Sequence, residues 1–391
     1  MKIAFFTDTF APEVNGVAAT LTKLSSYLEK KRIRHIFFAP EYETGAAVDE
    51  LGAFSDMRRI YRFRGMKFSI SPNSRLAFPI PIPVFTICDA FAPDIVHVTT
   101  EFGIGHAGLI YASVRKLPLV MSYHTDYCNY LKYHRLTPLG PIAEIFFKQF
   151  YSFSDRTLVP SEFTLKQLRE KGYENLSIWT RGIDTDNFNP VFRSGGIRDA
   201  LGIGKRFAFL NVGRLSSEKG LDTLMYAIRR INERYPGEAV FIITGEGPYE
   251  ETIRREGYSN MILTGFKCGR ELSEIYASCD CFAFPSATET FGNTGLEAMA
   301  SGLAVAGISS GGVTEYLIHG ENALLSPPGD KDGFAFNLME LMKNHELRKK
   351  ICINGINTAR SRDWDKVSES LLAEHRAVIA DKADIAVKHV S

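Results

Sequence analysis

The sequence has no CxxC pair, no run of eighteen apolar residues and no excess of charge of either sign. Its six cysteines (Cys88, Cys128, Cys268, Cys279, Cys281, Cys352) are scattered, with no histidines at zinc-ligand spacing. A structural zinc site is therefore not expected, and a reduced, cytoplasmic protein is. Without a long apolar run there is no candidate transmembrane helix, so the chain is expected to sit at most on the inner face of a membrane. The opening MKIAFFTD has only a short apolar run before Thr7, too short for a signal-peptide core. Lysine and arginine number 46 against 45 acids, which argues against bulk nucleic-acid binding and leaves any phosphate recognition to local groups.

What is present is length and alternation. A chain of 391 residues with 45% hydrophobic content can bury two cores. Short apolar runs alternate with helical patterns, and they do so twice, which predicts an α/β protein with two Rossmann-like parallel sheets. In the first half IAFF leads to NGVAATLTKLSSYLEKK, where Val17, Leu21, Leu24 and Leu28 share a face. The second half restarts at FAFLNVG, followed by a helix with Leu221, Leu224, Ile228 and Ile231 on one side. The expected division is a first domain over 1–181, a turn-rich linker over 182–196 and a second domain over 197–363. The tail RDWDKVSESLLAEHRAVIA reads as an amphipathic helix whose expected place is outside the second sheet. Parallel sheets bind ligands beyond the carboxyl ends of their strands, so a cleft between the two domains is the expected site.

In the second half, CFAFPSATETFGNTGLEAMASG predicts a buried strand, a loop bearing Glu289, and a helix carrying Glu297, with Asn293 or Thr294 as N-cap. The amides of Phe291, Gly292 and Asn293 then stand at a helix N-terminus, able to donate to an anion or to sugar hydroxyls. Two carboxylates beside a phosphate would repel it. They are better suited to accept from neutral hydroxyls, Glu289 from a hexose and Glu297 from a ribose. The plainer alternative is a pair of acids favoured by the helix dipole. Upstream, FAFLNVGRLSSEKG places Arg214 and Lys219 after a strand, where they can stabilise a departing diphosphate; the alternative is a solvated surface pair.

These segments, with TGEGPYEETIRREG, ILTGF and GGVTEYLIHGENALLSPPGD, resemble the successive motifs of the family-four retaining glycosyltransferases over nearly the whole chain. The resemblance implies a GT-B fold, two Rossmann-like domains facing a cleft, with a C-terminal helix (364–391) crossing back to complete the first domain. It implies that Arg214 and Lys219 hold the diphosphate of a UDP- or GDP-sugar, that the amides after Glu289 touch the hexose, and that Phe266, Lys267 and Cys268 meet the nucleobase. In the first domain it implies that Gly16 offers its amide to the donor phosphate or the acceptor, next to Asn15 on the acceptor side. Many members have two glycines where this chain has Asn15-Gly16. It also places His124 near the hexose 6-hydroxyl and anomeric centre, with Asp126 beside it either orienting the imidazole or binding the acceptor. The implied reaction retains the anomeric configuration, by front-face attack and without a metal cofactor.

Two other patterns point elsewhere. Gly103–Gly108 spells GxGxxG, but after a later strand and with His106 inside the turn, against the context of a dinucleotide site. Asp-x-Asp occurs at 184–186 and 363–365, as in metal-dependent transferases of another fold, but at the linker and the crossover. The acceptor is read from the stretch 57–88, which carries Arg58, Arg59, Arg62, Arg64, Lys67 and Arg75, no acid, and interleaved aromatics. It is expected to face anionic lipid, the alternative being a solvated face. SYHTDY with RGIDTDNF resembles the sulfoquinovosyl and mannosyl lipid transferase subgroup, implying a lipid or glycolipid acceptor. A soluble sugar or polysaccharide precursor stays open, as does a nucleotide-sugar 2-epimerase of the same architecture.

Overall fold

A computed structural model describes residues 1–13, 15–42, 58–68, 71–79, 81–127, 138 and 140–388, without the side chains of 67, 68, 71–74, 76, 386 and 387. The chain forms two compact units. Met1–Leu131, Leu136–Thr180 and Trp364–Ser391 belong to the first, and Arg181–Asp363 to the second. The stretch 182–196 lies within the second unit: Ile183 bridges to Asp363, and Arg193 donates to the carbonyls of Ala277 and Cys279.

The first unit is built on β1 (Lys2–Phe6), β2 (Arg34–Pro40), β3 (Arg58–Phe63), a small hairpin of β4 (Gly65–Phe68) and β5 (Ser71–Ala77), then β6 (Ile95–Val98), β7 (Leu119–Ser122), β8 (Arg156–Val159) and β9 (Leu176–Ile178). Seven of these make one parallel sheet in the order β3-β2-β1-β6-β7-β8-β9. The second unit has β10 (Phe207–Val212), β11 (Ala239–Thr244), β12 (Met261–Gly265), β13 (Cys281–Phe284), β14 (Ala304–Ile308) and β15 (Leu324–Ser326), in the parallel order β12-β11-β10-β13-β14-β15. Central strands read as continuous apolar runs because helices cover both faces, and Ile3, Ala4, Phe5 and Phe6 are all fully buried. Each sheet reverses its strand order once, between β1 and β6 and between β10 and β13. Those are the points where the loops at the carboxyl ends splay apart and leave a crevice.

The covering helices follow the expected faces. On helix Gly16–Lys30, Leu21, Leu24 and Leu28 are fully buried, and on helix Leu221–Arg234 so are Leu221, Ile228 and Ile231. Helix Gly103–Arg115 uses the GxGxxG glycines for close packing on the first sheet. A Cβ at Gly105 would lie 1.8 Å from the Thr100 carbonyl oxygen, and one at Gly108 would lie 2.5 Å from Phe6 Cγ.

The tail helix, Trp364–Lys388, corrects the expectation of a place outside the second sheet. It belongs to the first unit, where Tyr27 donates to Glu369 at 2.6 Å, Trp179 Nε1 to the Val367 carbonyl at 3.3 Å, and buried His375 meets His97 at 3.2 Å. Its amphipathic pattern shows that it needs a partner but not which sheet supplies one.

Candidate functional site

In the second unit the loops leaving β10 and β13 meet. Gly220, left-handed at φ 70°, approaches Pro285 so closely that a Cβ would lie 2.3 Å from the Pro285 carbonyl oxygen, so only glycine fits. Thr288 Oγ1 then donates to the Glu218 carbonyl at 3.1 Å, and Lys219 Nζ donates to Glu289 Oε1 at 2.7 Å. Partial burial works against the Lys219 charge, but the bonded Glu289 carboxylate, aided by Glu218, outweighs it and the neighbouring Arg214. The ammonium is held above the ordinary lysine pKa. Arg214 is half-buried in the same loop, near enough for its charge to be felt at Lys219.

Glu289 leads into helix Asn293–Ala300. Its N-cap is Gly292, in left-handed backbone at φ 86°, and not Asn293 or Thr294 as the residue types predict. A side chain at 292 would collide with Val313 and Phe284, so the cap position is fixed by space and not by a capping hydroxyl or amide. Phe291 is buried and packs 5.5 Å from the Tyr316 ring, whose hydroxyl donates to the Gly292 carbonyl. Gly295 N donates back to the Gly292 carbonyl at 3.0 Å, and the amides ahead of it are the ones a helix start leaves without intrahelical carbonyls. Glu297 sits one turn in. Tyr276 donates to its Oε2 at 2.9 Å, and burial pushes the carboxyl up to about 7 against that bond. Phe266, Lys267 and Cys268 form the turn after β12. Phe266 is 48% exposed and donates its amide to Glu246 Oε1 at 3.4 Å, while Lys267 pairs with Glu271.

Sequence reading missed the groups that hold this site from behind. Gly312 donates to the Glu289 carbonyl at 2.7 Å, and Gly311, at φ 75°, packs on the same carbonyl. The doublet in SSGGVTE is the visible signal, since adjacent glycines mark close backbone approach. Tyr276 gives no such signal.

In the first unit, His124 follows β7, half-buried, with its ring 6.0 Å from Trp179, and Asp126 is half-exposed beyond it. Asn15, expected on the acceptor side, is the N-cap of the first helix. Its Oδ1 caps helix Gly16–Lys30 by accepting from Val17 N at 3.0 Å and Ala18 N at 2.9 Å, and its Nδ2 donates to Thr9. Gly16, exposed at the first turn, has the amide that this cap does not take.

The expected basic surface also needs correction. Arg58 is 5% exposed and turned onto Glu29 and Ser25, and Arg62 donates to the carbonyls of Pro40 and Ala11 with its guanidinium over the Phe10 and Tyr42 rings. Burial lowers the Arg62 pKa. These two side chains pin β3 and the loop after β1. Arg59 and Arg64 are exposed, and the Lys67 side chain lies outside the described residues.

Beneath the first sheet's carboxyl ends lie two buried acids. Asp8 accepts from Ile104 N at 3.0 Å and Thr100 Oγ1 at 2.7 Å, and Glu101 accepts from Tyr151 Oη. Burial raises Glu101 from 4.5 to about 8, so the folded state holds a proton that the unfolded chain releases. Its contribution to stability is complete below pH 4.5 and is lost as pH rises from there through about 8. Glu101→Gln is expected to flatten that dependence and raise Tm above wild type at alkaline pH, as checked by thermal melts across the window. A wild-type melt that does not weaken there contradicts the assignment.

Among the described residues no helix is long and apolar enough to cross a membrane. Residues 14–187 match the family described as Glycosyltransferase Family 4, and residues 206–344 match Glycosyl transferases group 1. A GDP-mannose-dependent alpha-mannosyltransferase of Corynebacterium glutamicum is 28% identical across 97% of this chain and 90% of its own length. The sulfoquinovosyl transferase SQD2 of Arabidopsis thaliana is 32% identical over 70% of this chain and 54% of its own. An alpha-monoglucosyldiacylglycerol synthase of Streptococcus pneumoniae is 27% identical over 78% and 70%. The crystal structure of Anabaena HepE with UDP-glucose superposes with a TM-score of 0.76 at 19% identity, over 96% of this chain and all of that one. The two α/β units thus have the GT-B fold, and the chain belongs to the group 1, family-four glycosyltransferases, enzymes that move a hexosyl group from a nucleotide sugar.

Proposed function

We propose that the protein transfers a hexose from a nucleoside-diphosphate sugar, of the UDP-glucose or GDP-mannose type, to a hydroxyl of a lipid or glycolipid acceptor, with retention of anomeric configuration. The observation that carries the donor half is the junction of Lys219, Glu289 and the first turn of helix Asn293–Ala300, with Arg214 alongside. A diphosphate gathers negative charge as its bond to the anomeric carbon breaks, and fixed cations and helix amides stabilise that charge where it develops. Lys219 and Arg214 take the diphosphate. Glu289, already bonded to Lys219, accepts from the hexose hydroxyls together with the amides of Phe291, Gly292 and Asn293. Glu297, held by Tyr276, accepts from the ribose, and the turn at Phe266, Lys267 and Cys268 meets the base.

Attack comes from the face the diphosphate leaves. The bond from the anomeric carbon to phosphate oxygen breaks, the bond to acceptor oxygen forms on the same side, and the acceptor's proton passes to the departing diphosphate. Gly16 and His124 serve the hexose and phosphate from the first unit, and Asp126 serves the acceptor. The lipid acceptor is supported by the likeness to the alpha-monoglucosyldiacylglycerol synthase and the sulfoquinovosyl transferase, and with such an acceptor the protein would work at the inner membrane surface. Thermal shift against a panel of nucleotide sugars, followed by mass spectrometry of products on lipid and sugar acceptors, tests the assignment. Stabilisation by no nucleotide sugar would overturn it.

The chemistry is proposed to need no metal. Asp184, the leading acid of the first Asp-x-Asp, accepts from Asp186 N, Asn187 N and Asn187 Nδ2, and Asp365 of the second pairs with Lys30 at 2.6 Å. Both are committed to their own surroundings. Activity is expected to survive EDTA; complete loss restored by manganese contradicts this.

A further inference from the structure

The corrected position of Arg58 and Arg62 leaves open which surface of the first unit meets lipid. An apolar cavity of about 350 Å³ lies elsewhere on that unit, lined by Phe78, Pro81, Val84, Phe85, Ala107 and Ile110, together with Gly103 and His106. Helices Pro81–Phe91 and Gly103–Arg115 form its walls, joined by Phe85 packing edge-on to Tyr111 at 5.1 Å. We propose that this cavity receives an acyl chain of the lipid acceptor, with the apolar surface around it lying against the membrane. The proposal rests on the lipid reading above.

Three observations favour a lipid over another protein as the occupant. The first is continuity with exposed apolar surface. His106 stacks on Phe146 at 5.7 Å, and Phe146 lies on helix Gly140–Ser152, which shows Ile142, Ile145 and Phe146 to solvent at helical spacing. Phe78, Ile82, Ile110 and Val114 continue the surface around the cavity at exposures of 48 to 75%. Burying one face of that helix on the sheet through Phe147, Phe150 and Tyr151 leaves a second apolar face, which water disfavours and a bilayer accepts. The second is charge. The two acids on these three helices, Asp89 and Glu144, are ion-paired to Arg115 and Lys171, while Lys116 and the exposed Lys148 add positive charge. That balance suits anionic headgroups. The third is position. Gly103 begins just past β6, and Asp8, just past β1, accepts from Ile104 N, so the cavity starts at the carboxyl ends of the sheet. A chain lodged there keeps its headgroup at the strand ends, where the ligand end of such a sheet lies.

The test uses the full chain and a series of lysophosphatidylglycerols that differ only in chain length. Affinity is expected to rise about threefold to fourfold per methylene until the cavity is full. Ala107→Trp fills the cavity and Ile110→Glu puts charge at its rim. Each is expected to weaken long-chain binding roughly tenfold or more, the worth of about two buried methylenes. Nucleotide-sugar binding and Tm, measured on the same samples, should stay at wild-type values. A triple change of Ile142, Ile145 and Phe146 to serine should reduce co-sedimentation with vesicles of phosphatidylglycerol and phosphatidylcholine. Binding independent of chain length, or unchanged in both cavity variants, overturns the proposal. So does a wild-type dimer that the triple change converts to monomer, because a second copy would then cover this face. Chain-dependent binding with transfer only to soluble sugars would instead overturn the lipid-acceptor reading and leave the cavity assignment standing.

Discussion

Lys219→Ala is expected to lower kcat by about two to three orders of magnitude, the usual effect of removing one fixed donor from developing charge. The change should leave Tm near wild type, because the Lys219–Glu289 pair is partly solvated, its side chains 32% and 14% exposed, and such pairs contribute little to folding. Lys219→Arg keeps a charge but not the geometry that meets Glu289 at 2.7 Å, and should recover only part of the rate. Glu297→Gln is the contrasting variant. Its carboxyl is one turn deeper, held by Tyr276, and is proposed to touch a part of the donor that does not react, so KM should rise while kcat changes little. Steady-state kinetics with saturating acceptor separate the two. Equal, mild effects from both would remove the distinction between the diphosphate and ribose roles.

The second large effect is expected at a residue with no side chain. A Cβ at Gly312 would lie 1.9 Å from the Thr290 carbonyl oxygen and 2.7 Å from Phe291 Cα, and both contacts are backbone that no rotamer change can relieve. The Glu289–Phe291 loop must move, and with it the hydrogen bond from Gly312 N to the Glu289 carbonyl. Gly312→Ala is expected to cost about 1–3 kcal/mol of stability, as overpacking does. It should also weaken nucleotide-sugar binding by roughly a hundredfold or more, since groups displaced by even an ångström lose productive geometry. Gly320→Ala is the control. That glycine is also left-handed, at φ 74°, but faces open space, so the variant should lose some stability and keep donor affinity. Calorimetric titration with the preferred donor, beside a thermal melt, checks both. Wild-type donor affinity in Gly312→Ala would show that the loop is not held from behind in this way.

The parts of the molecule that were legible in the sequence are those governed by local pattern. The runs IAFF, FAFLNVG and CFAFP became β1, β10 and β13, because a strand buried on both faces must be apolar along its length. β3 was not legible. It is an edge strand whose alternate arginines read as surface charge, and only pairing with β2 and contact with Glu29 and Ser25 turn Arg58 inward. At the candidate site, Lys219 and Glu289 were marked by their loops after strands and Glu297 by its place in the first turns of a helix, and the family motifs then gave them their roles. That Lys219 touches Glu289 depends on the approach of Gly220 to Pro285, which no local pattern encodes. Asn15 shows the opposite case. Asparagine before a helix is an ordinary N-cap, and that plain chemistry decided its place.

The anomeric configuration of the product is the most direct measurement of the proposed reaction. With the nucleotide α-hexose that gives the largest thermal shift, and the acceptor identified by mass spectrometry, proton NMR of the purified glycoside reports that configuration. Front-face transfer at the Lys219–Glu289 site predicts an α-glycoside; a β-glycoside would contradict it.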